Sequence, residues 1–218
     1  MLSVELLERV ESLGNNCEVG FVLKMLGHTS GGIFRWVAVR PSDAYRAVMS
    51  DFDGVFEFGN LAPHSSGMVF DKRSRIAFHS KMRSHRAGAE LEFIDPEEKR
   101  RELYALERQR FEVLAQRFRD RLKVPGIVYV TKSHRGIEAS ELREIADYLE
   151  RIRSSCSFKL LHVETSSDAR LHGTVQHIDR HLFRGYVEWF APALKADDAD
   201  YPRWNAILTG CLAEAVRT

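Results

Sequence analysis

Apolar positions recur along this chain with two periods, and the alternation between them sketches its architecture. Val19, Val22, Leu23 and Leu26 fall at i, i+3, i+4 and i+7, the stripe of a helix with one buried face, and Gly27 supplies its stop. Tyr104, Phe111, Leu114, Phe118 and Leu122 form a second, longer stripe. Ahead of it, Asp95-Pro96-Glu97-Glu98 predicts a helix start, with Asp95 as N-cap, Pro96 as first helical residue and Glu98 closing a capping box. Leu142, Ile145, Leu149 and Ile152 predict a third helix over 140–153, and Trp204, Ile207, Leu208, Leu212 and Val216 a fourth after Tyr201-Pro202. A shorter helix is expected from Pro41 to Met49, and a turn of helix followed by a short strand between Leu2 and Leu13.

Between these stripes lie short runs rich in β-branched and aromatic residues. Ile33 to Val39 reads as extended, and Met68 to Phe70 with Arg75 to Phe78 reads as a hairpin about Asp71 to Ser74. Asp51 to Leu61 is aromatic but broken by Gly54 and Gly59, so it is expected to be irregular and packed. Ile127 to Thr131 and Phe158 to Val163 are apolar strands flanking the 140–153 helix, a spacing that implies a parallel βαβ unit. Another strand is expected between Thr174 and Phe183. The predicted fold is a single α/β domain over residues 1–218, with a mixed sheet, helices on both faces and a cysteine at one helix N-terminus.

Composition narrows the function more than the fold. Of 218 residues, 32 are basic and 31 acidic, so a net charge of +1 gives no global field for nucleic acid. No run approaches the length of a membrane span, and no basic-then-apolar leader opens the chain, so a cytoplasmic protein without a membrane span is expected. The arginines of the 99–123 helix alternate with Glu102, Glu107, Glu112 and Asp120, which reads as a solvated face. Cys17, Cys156 and Cys211 are too scattered for a disulfide framework or a metal knuckle. His177 and His181 would share a face only in a helix, and nothing completes a ligand set with them and His172, so no metal is expected. No phosphate-binding glycine fingerprint appears, Gly31-Gly32 alone being insufficient, and no cofactor is expected.

The chemistry concentrates in Ser12-Leu13-Gly14-Asn15-Asn16-Cys17-Glu18-Val19-Gly20. With Asn15 or Asn16 as cap, Cys17 lies in the first turn of its helix, where free N–H groups and the helix dipole favour a thiolate. Two readings stand there, a small buried hydrophobe or an activated nucleophile. A nucleophilic cysteine needs a base, and His79, at the end of the apolar run Ile76 to Phe78, is the histidine best placed to be held rigidly. Asn15, Asn16 and Trp36 complete the candidate set as oxyanion- or substrate-binding residues, with Asn16 the leading side-chain donor.

Taken in series, Ser12-Leu13-Gly14-Asn15-Asn16-Cys17, Phe34-Arg35-Trp36 and Phe78-His79 resemble a bacterial family described as papain-like cysteine peptidases of unknown function. The resemblance extends to about Glu164 and implies a Cys17–His79 pair acting on a small-molecule, glycan or peptide substrate. Two positions depart from the family pattern: Arg35 and Ser80 stand where aspartates are expected, which leaves a dyad rather than a triad. The Gly-Asn-Cys opening is also similar to that of capsule-polysaccharide acetyltransferases, which take an acetyl group from coenzyme A, although Glu18 replaces their glutamine. An acyl hydrolase or peptidase is therefore the leading expectation. A coenzyme A-dependent acyltransferase and a non-catalytic carbohydrate- or protein-binding module are the alternatives, and oligomeric state is left open.

Overall fold

In the computed structural model the described residues are 2–65, 67–134, 137–153, 156–192 and 195–213. A five-stranded mixed sheet organises them, built from β1 (Val10–Ser12), β8 (Ile127–Lys132), β9 (Phe158–Thr165), β11 (Leu182–Val187) and β10 (Val175–His177) in that spatial order. The first four strands are parallel and β10 pairs antiparallel with β11. All six residues of β8 are buried, as expected of a parallel strand covered on both faces.

Alternation along the strands divides the core in two. Ile127, Tyr129, Leu160 and Leu182 face α3 (Pro41–Met49), α4 (Glu97–Arg121) and α5 (Ala139–Ile152). Val128, Val130, Leu161, Val163 and Phe183 face α1 (Val4–Leu7), α2 (Glu18–Met25) and α6 (Tyr201–Ala213). Helices thus lie on both faces of a mixed sheet, as the sequence predicts. β1 forms the sheet edge, and α2 leaves it after a five-residue turn, 13–17.

Everything between α2 and β8 is one long excursion from the sheet. It holds an antiparallel sheet in the order β2 (Val37–Ala38), β5 (Ile76–His79), β4 (Met68–Asp71), β3 (Leu61–Ser65), then a hairpin of β6 (Ser84–Ala87) and β7 (Glu90–Phe93), then α4. Phe34, Phe52, Phe56, Phe78, Phe111 and Phe118 meet in edge-on and stacked pairs that weld α4 to this excursion.

The strand expected between Thr174 and Phe183 is present as β10, which a turn around Asp179 separates from β11. Two expectations need correction. Ile33 to Val39 is not a continuous strand, since residues 33–36 turn and only Val37 and Ala38 pair with β5. Asp95 does not cap α4: Pro96 holds the capping position in extended geometry and no side chain bonds the helix start, so Asp95 lies one residue too early. Val216, the last position of the predicted terminal helix, lies outside the described residues.

Candidate active site

Two close approaches bring the 13–17 turn to Val39, beside β2. Gly14 has φ +88, and a Cβ there would lie 2.2 Å from Val39 Cγ1, so only glycine admits the contact. Asn15, itself at φ +102, then bridges to Val39, whose N–H donates to the Asn15 carbonyl at 3.1 Å. Val39 continues β2, and β2 is registered on β5 with Val37 opposite Phe78. Trp36, just before β2, and His79, the last residue of β5, lie at adjoining strand ends and line one cavity.

Cys17 and His79 meet there. The Sγ–Nε2 distance is 3.5 Å across 62 residues of sequence, within hydrogen-bond reach for sulfur. Cys17 itself is the N-cap of α2, rather than a first-turn residue behind an Asn15 or Asn16 cap, and Asn16 Oδ1 accepts from the Glu18 N–H at 3.0 Å from one residue further out. Asn16 Nδ2 is buried without an acceptor among the described residues. Burial pushes the Cys17 thiol above its ordinary pKa. That burial disfavours the thiolate, while the positive helix end favours it as it forms. Asn15 serves through its backbone and Trp36 through its ring, which packs edge-on to Phe21 at 5.0 Å and lines the cavity.

A cavity of about 400 Å³ opens beside His79, walled by Ile33, Trp36, Val37, Phe56, Phe78, Phe111 and Leu114. Its polar lining comes from His79, Ser80, Lys81, Glu107 and Arg110. Glu107 is the residue that the sequence reading set among solvated positions. Its Oε2 accepts from Ser80 Oγ at 2.7 Å and its Oε1 from the Lys81 N–H at 2.6 Å, which clamps the turn immediately after His79. Ser80 Oγ also accepts from the Met82 N–H at 2.9 Å. A carboxylate absent from position 80 is thus supplied by α4. The signal was available, because Glu107 lies at i+3 from Tyr104, i−4 from Phe111 and i−7 from Leu114, on the stripe that packs inward.

The other unusual positions hold the scaffold. Arg35 is buried and hydrogen-bonds His28 Nδ1 and the carbonyls of Ser30, His28 and Gly20, tying the 28–32 loop to α2. Burial, reinforced by Arg35, lowers the His28 pKa to about 4. None of these bonds reaches Cys17 or His79. Glu18 and Lys132 form a fully buried ion pair at 2.8 Å, and Glu18 also accepts from Trp204 Nε1 at 2.9 Å and the Ala191 N–H at 3.1 Å. That explains an acid beside the nucleophile without a catalytic role.

Arg108, Arg119 and Arg121 of α4 clamp Val55, Asp51 and Glu11, so this helix face is only partly the solvated surface expected. Among the described residues, no group of three or more His, Cys, Asp and Glu side chains is arranged to hold a metal. His172 contacts the Ser166 carbonyl, while His177 and His181 stack on Phe183 and Phe158. No described helix is long and apolar enough to cross a membrane.

No protein-family model matches the chain, and neither curated proteins nor solved structures provide a match.

Proposed function

We propose that this chain is a cysteine-dependent acyl hydrolase in which Cys17 is the nucleophile and His79 the general base. The observation that carries the reading is the 3.5 Å approach of Cys17 Sγ to His79 Nε2, with His79 lining a cavity of about 400 Å³. In the first half-reaction Sγ bonds to the acyl carbonyl carbon while its proton passes to His79 Nε2. The imidazolium then protonates the leaving group as its bond to the carbonyl breaks. In the second, His79 takes a proton from water, which attacks the thioester and frees the acid and the thiol. The Cys17 N–H, which has no acceptor among the described residues, supports the oxyanion, and Asn16 Nδ2 is the nearest spare side-chain donor.

The resemblance to the papain-like peptidase family supports the same pair of residues, and cleavage of an acyl bond, whether amide, ester or thioester, is part of this proposal. Transfer to a sugar hydroxyl would share the first half-reaction and differ only in the acceptor. The test is intact-mass detection of an acyl adduct after brief exposure to activated esters, with the site mapped by peptide digestion. An adduct on Cys17 that His79→Ala suppresses is expected. Equal labelling of Cys17, Cys156 and Cys211 in both proteins would defeat the reading.

A further inference from the structure

The cavity beside the dyad has two chemically distinct parts. Seven apolar or aromatic side chains form its body, and its volume of about 400 Å³ falls within the roughly 300–1,000 Å³ typical of small-molecule sites. Its polar lining holds two exposed cations, Lys81 and Arg110, which take part in no ion pair or side-chain hydrogen bond among the described residues. Both are located by Glu107: Lys81 through its own N–H on the Glu107 carboxylate, and Arg110 by standing one helical turn further along α4. Lys81 also follows His79 by two residues. The Glu107 carboxylate, held by the Ser80 hydroxyl and the Lys81 N–H, offsets only one of the two cations, so the group presents net positive charge to whatever enters.

We propose that the site takes an apolar acyl group in the body of the cavity, joined through an ester or thioester to a leaving portion that carries a carboxylate or phosphate seated by Lys81 and Arg110. This rests on the acyl-transfer reading given above. The apolar walls favour long acyl chains because each buried methylene contributes about fourfold in affinity. The cations favour an anionic leaving portion and steer its approach, an effect that salt weakens. Chemically the step is the one already written. The bond broken is that between the acyl carbon and the leaving oxygen or sulfur, which departs with the proton from His79.

The test uses the full chain and thioesters of acetate and octanoate with mercaptopropionate, mercaptoethyl phosphate or mercaptoethanol. These leaving groups compare a carboxylate, a phosphate and a neutral end. Expected are a kcat/KM at least a hundredfold higher for octanoyl than for acetyl, and about tenfold higher for one anionic leaving group than for the neutral one. The anionic preference should fall with salt and disappear in the Lys81→Glu, Arg110→Glu double variant. Whichever anion is favoured identifies the source.

A second arm measures binding of the uncleavable ethyl and octyl thioethers to the Cys17→Ala protein by calorimetry. Acylation that proceeds equally for both chain lengths and all three leaving groups would overturn the proposed ligand class while leaving the acyl-transfer reading intact. Thioether binding that depends on chain and charge, without acylation of the wild-type protein by any thioester, would overturn the acyl-transfer reading and keep the ligand class.

Discussion

Glu107 carries the most informative single perturbation. Its carboxylate accepts from Ser80 Oγ at 2.7 Å and the Lys81 N–H at 2.6 Å, and those bonds fix the turn that leaves β5 directly after His79. A hydrogen bond to a charged group is worth roughly 1.5–3 kcal/mol, and exposure of Lys81 reduces the pair together to about 2 kcal/mol. Removing that restraint lowers the population of the aligned His79 about thirtyfold, since 1.4 kcal/mol is a factor of ten. Glu107→Ala is therefore expected to slow ester acylation of Cys17 by roughly ten- to thirtyfold. The melting temperature should fall by only about 4–8 °C, from 2–4 °C per kcal/mol at this chain length. Glu107→Gln keeps one acceptor oxygen and loses the charge, so its rate should lie between. Stopped-flow burst kinetics with an activated ester report the acylation rate and calorimetry reports the melting temperature. A Glu107→Ala protein that melts lower yet acylates at the wild-type rate would refute the claim that Glu107 positions the base.

Three further outcomes follow from the same structure. Because burial raises the Cys17 pKa, alkylation of Cys17 by iodoacetamide should keep rising with pH beyond the ordinary thiol range, and a plateau already reached near pH 5 would contradict this assignment. Glu18 and Lys132 are both 0% exposed, so Lys132→Met alone should cost about 3–5 kcal/mol by leaving a buried carboxylate unpaired, whereas Glu18→Leu with Lys132→Met should recover much of it; denaturant unfolding distinguishes the two outcomes. His162 is buried on β9 with neither ring nitrogen partnered among the described residues, and burial, aided by Arg184, lowers its pKa to about 4. Below pH 6.5 the unfolded chain takes up a proton that the folded chain refuses, so this group removes about 3 kcal/mol of stability as pH falls from 6.5 to 4. His162→Phe should flatten that loss in urea titrations, and an unchanged slope would show that another group controls it.

The elements legible in the sequence are those whose apolar spacing coincides with burial. The α2 and α5 stripes, the β8 and β9 runs and the hairpin of β4 and β5 all fall where hydrophobic periodicity sets them. The β6–β7 hairpin was not legible, because Ser84-His85-Arg86-Ala87 and Glu90-Leu91-Glu92-Phe93 bury little and look like polar loop. β11 was obscured for the opposite reason. Arg184 and Gly185 break its apolar run in sequence, yet they lie within a parallel pairing on β9, Arg184 opposite His162 and Gly185 opposite Val163. Cys17 and His79 were nameable from chemistry and order, whereas for Glu107 the place on the inward stripe of α4 was legible and the role was not. Its partners are a serine hydroxyl and a main-chain amide, which leave no mark in a one-dimensional pattern.

The same physical reasoning changes what the departures at positions 35 and 80 mean. Read along the chain, an arginine and a serine in place of aspartates look like the dismantling of a triad. In three dimensions Arg35 braces the 28–32 loop against α2 by donating to the Ser30, His28 and Gly20 carbonyls, which an aspartate, with no N–H to give, could not do. Ser80 is not an empty place either, because its hydroxyl relays Glu107 to the turn beside His79. The edge strand β1 delivers the thiol, β5 delivers the imidazole, and α4 delivers both the carboxylate and much of the cavity wall. The activity proposed for Cys17 therefore depends on α4 staying docked. Ala115 and Phe118, buried on that helix within the core that faces β8, hold it there far from any reacting atom. Truncating Phe118 to alanine should cost about 3–5 kcal/mol in stability. At temperatures where that variant is still folded, it should also slow acylation by loosening the Glu107 clamp. A fully folded Phe118→Ala protein with wild-type burst kinetics would show that the dyad is held by β2 and β5 alone.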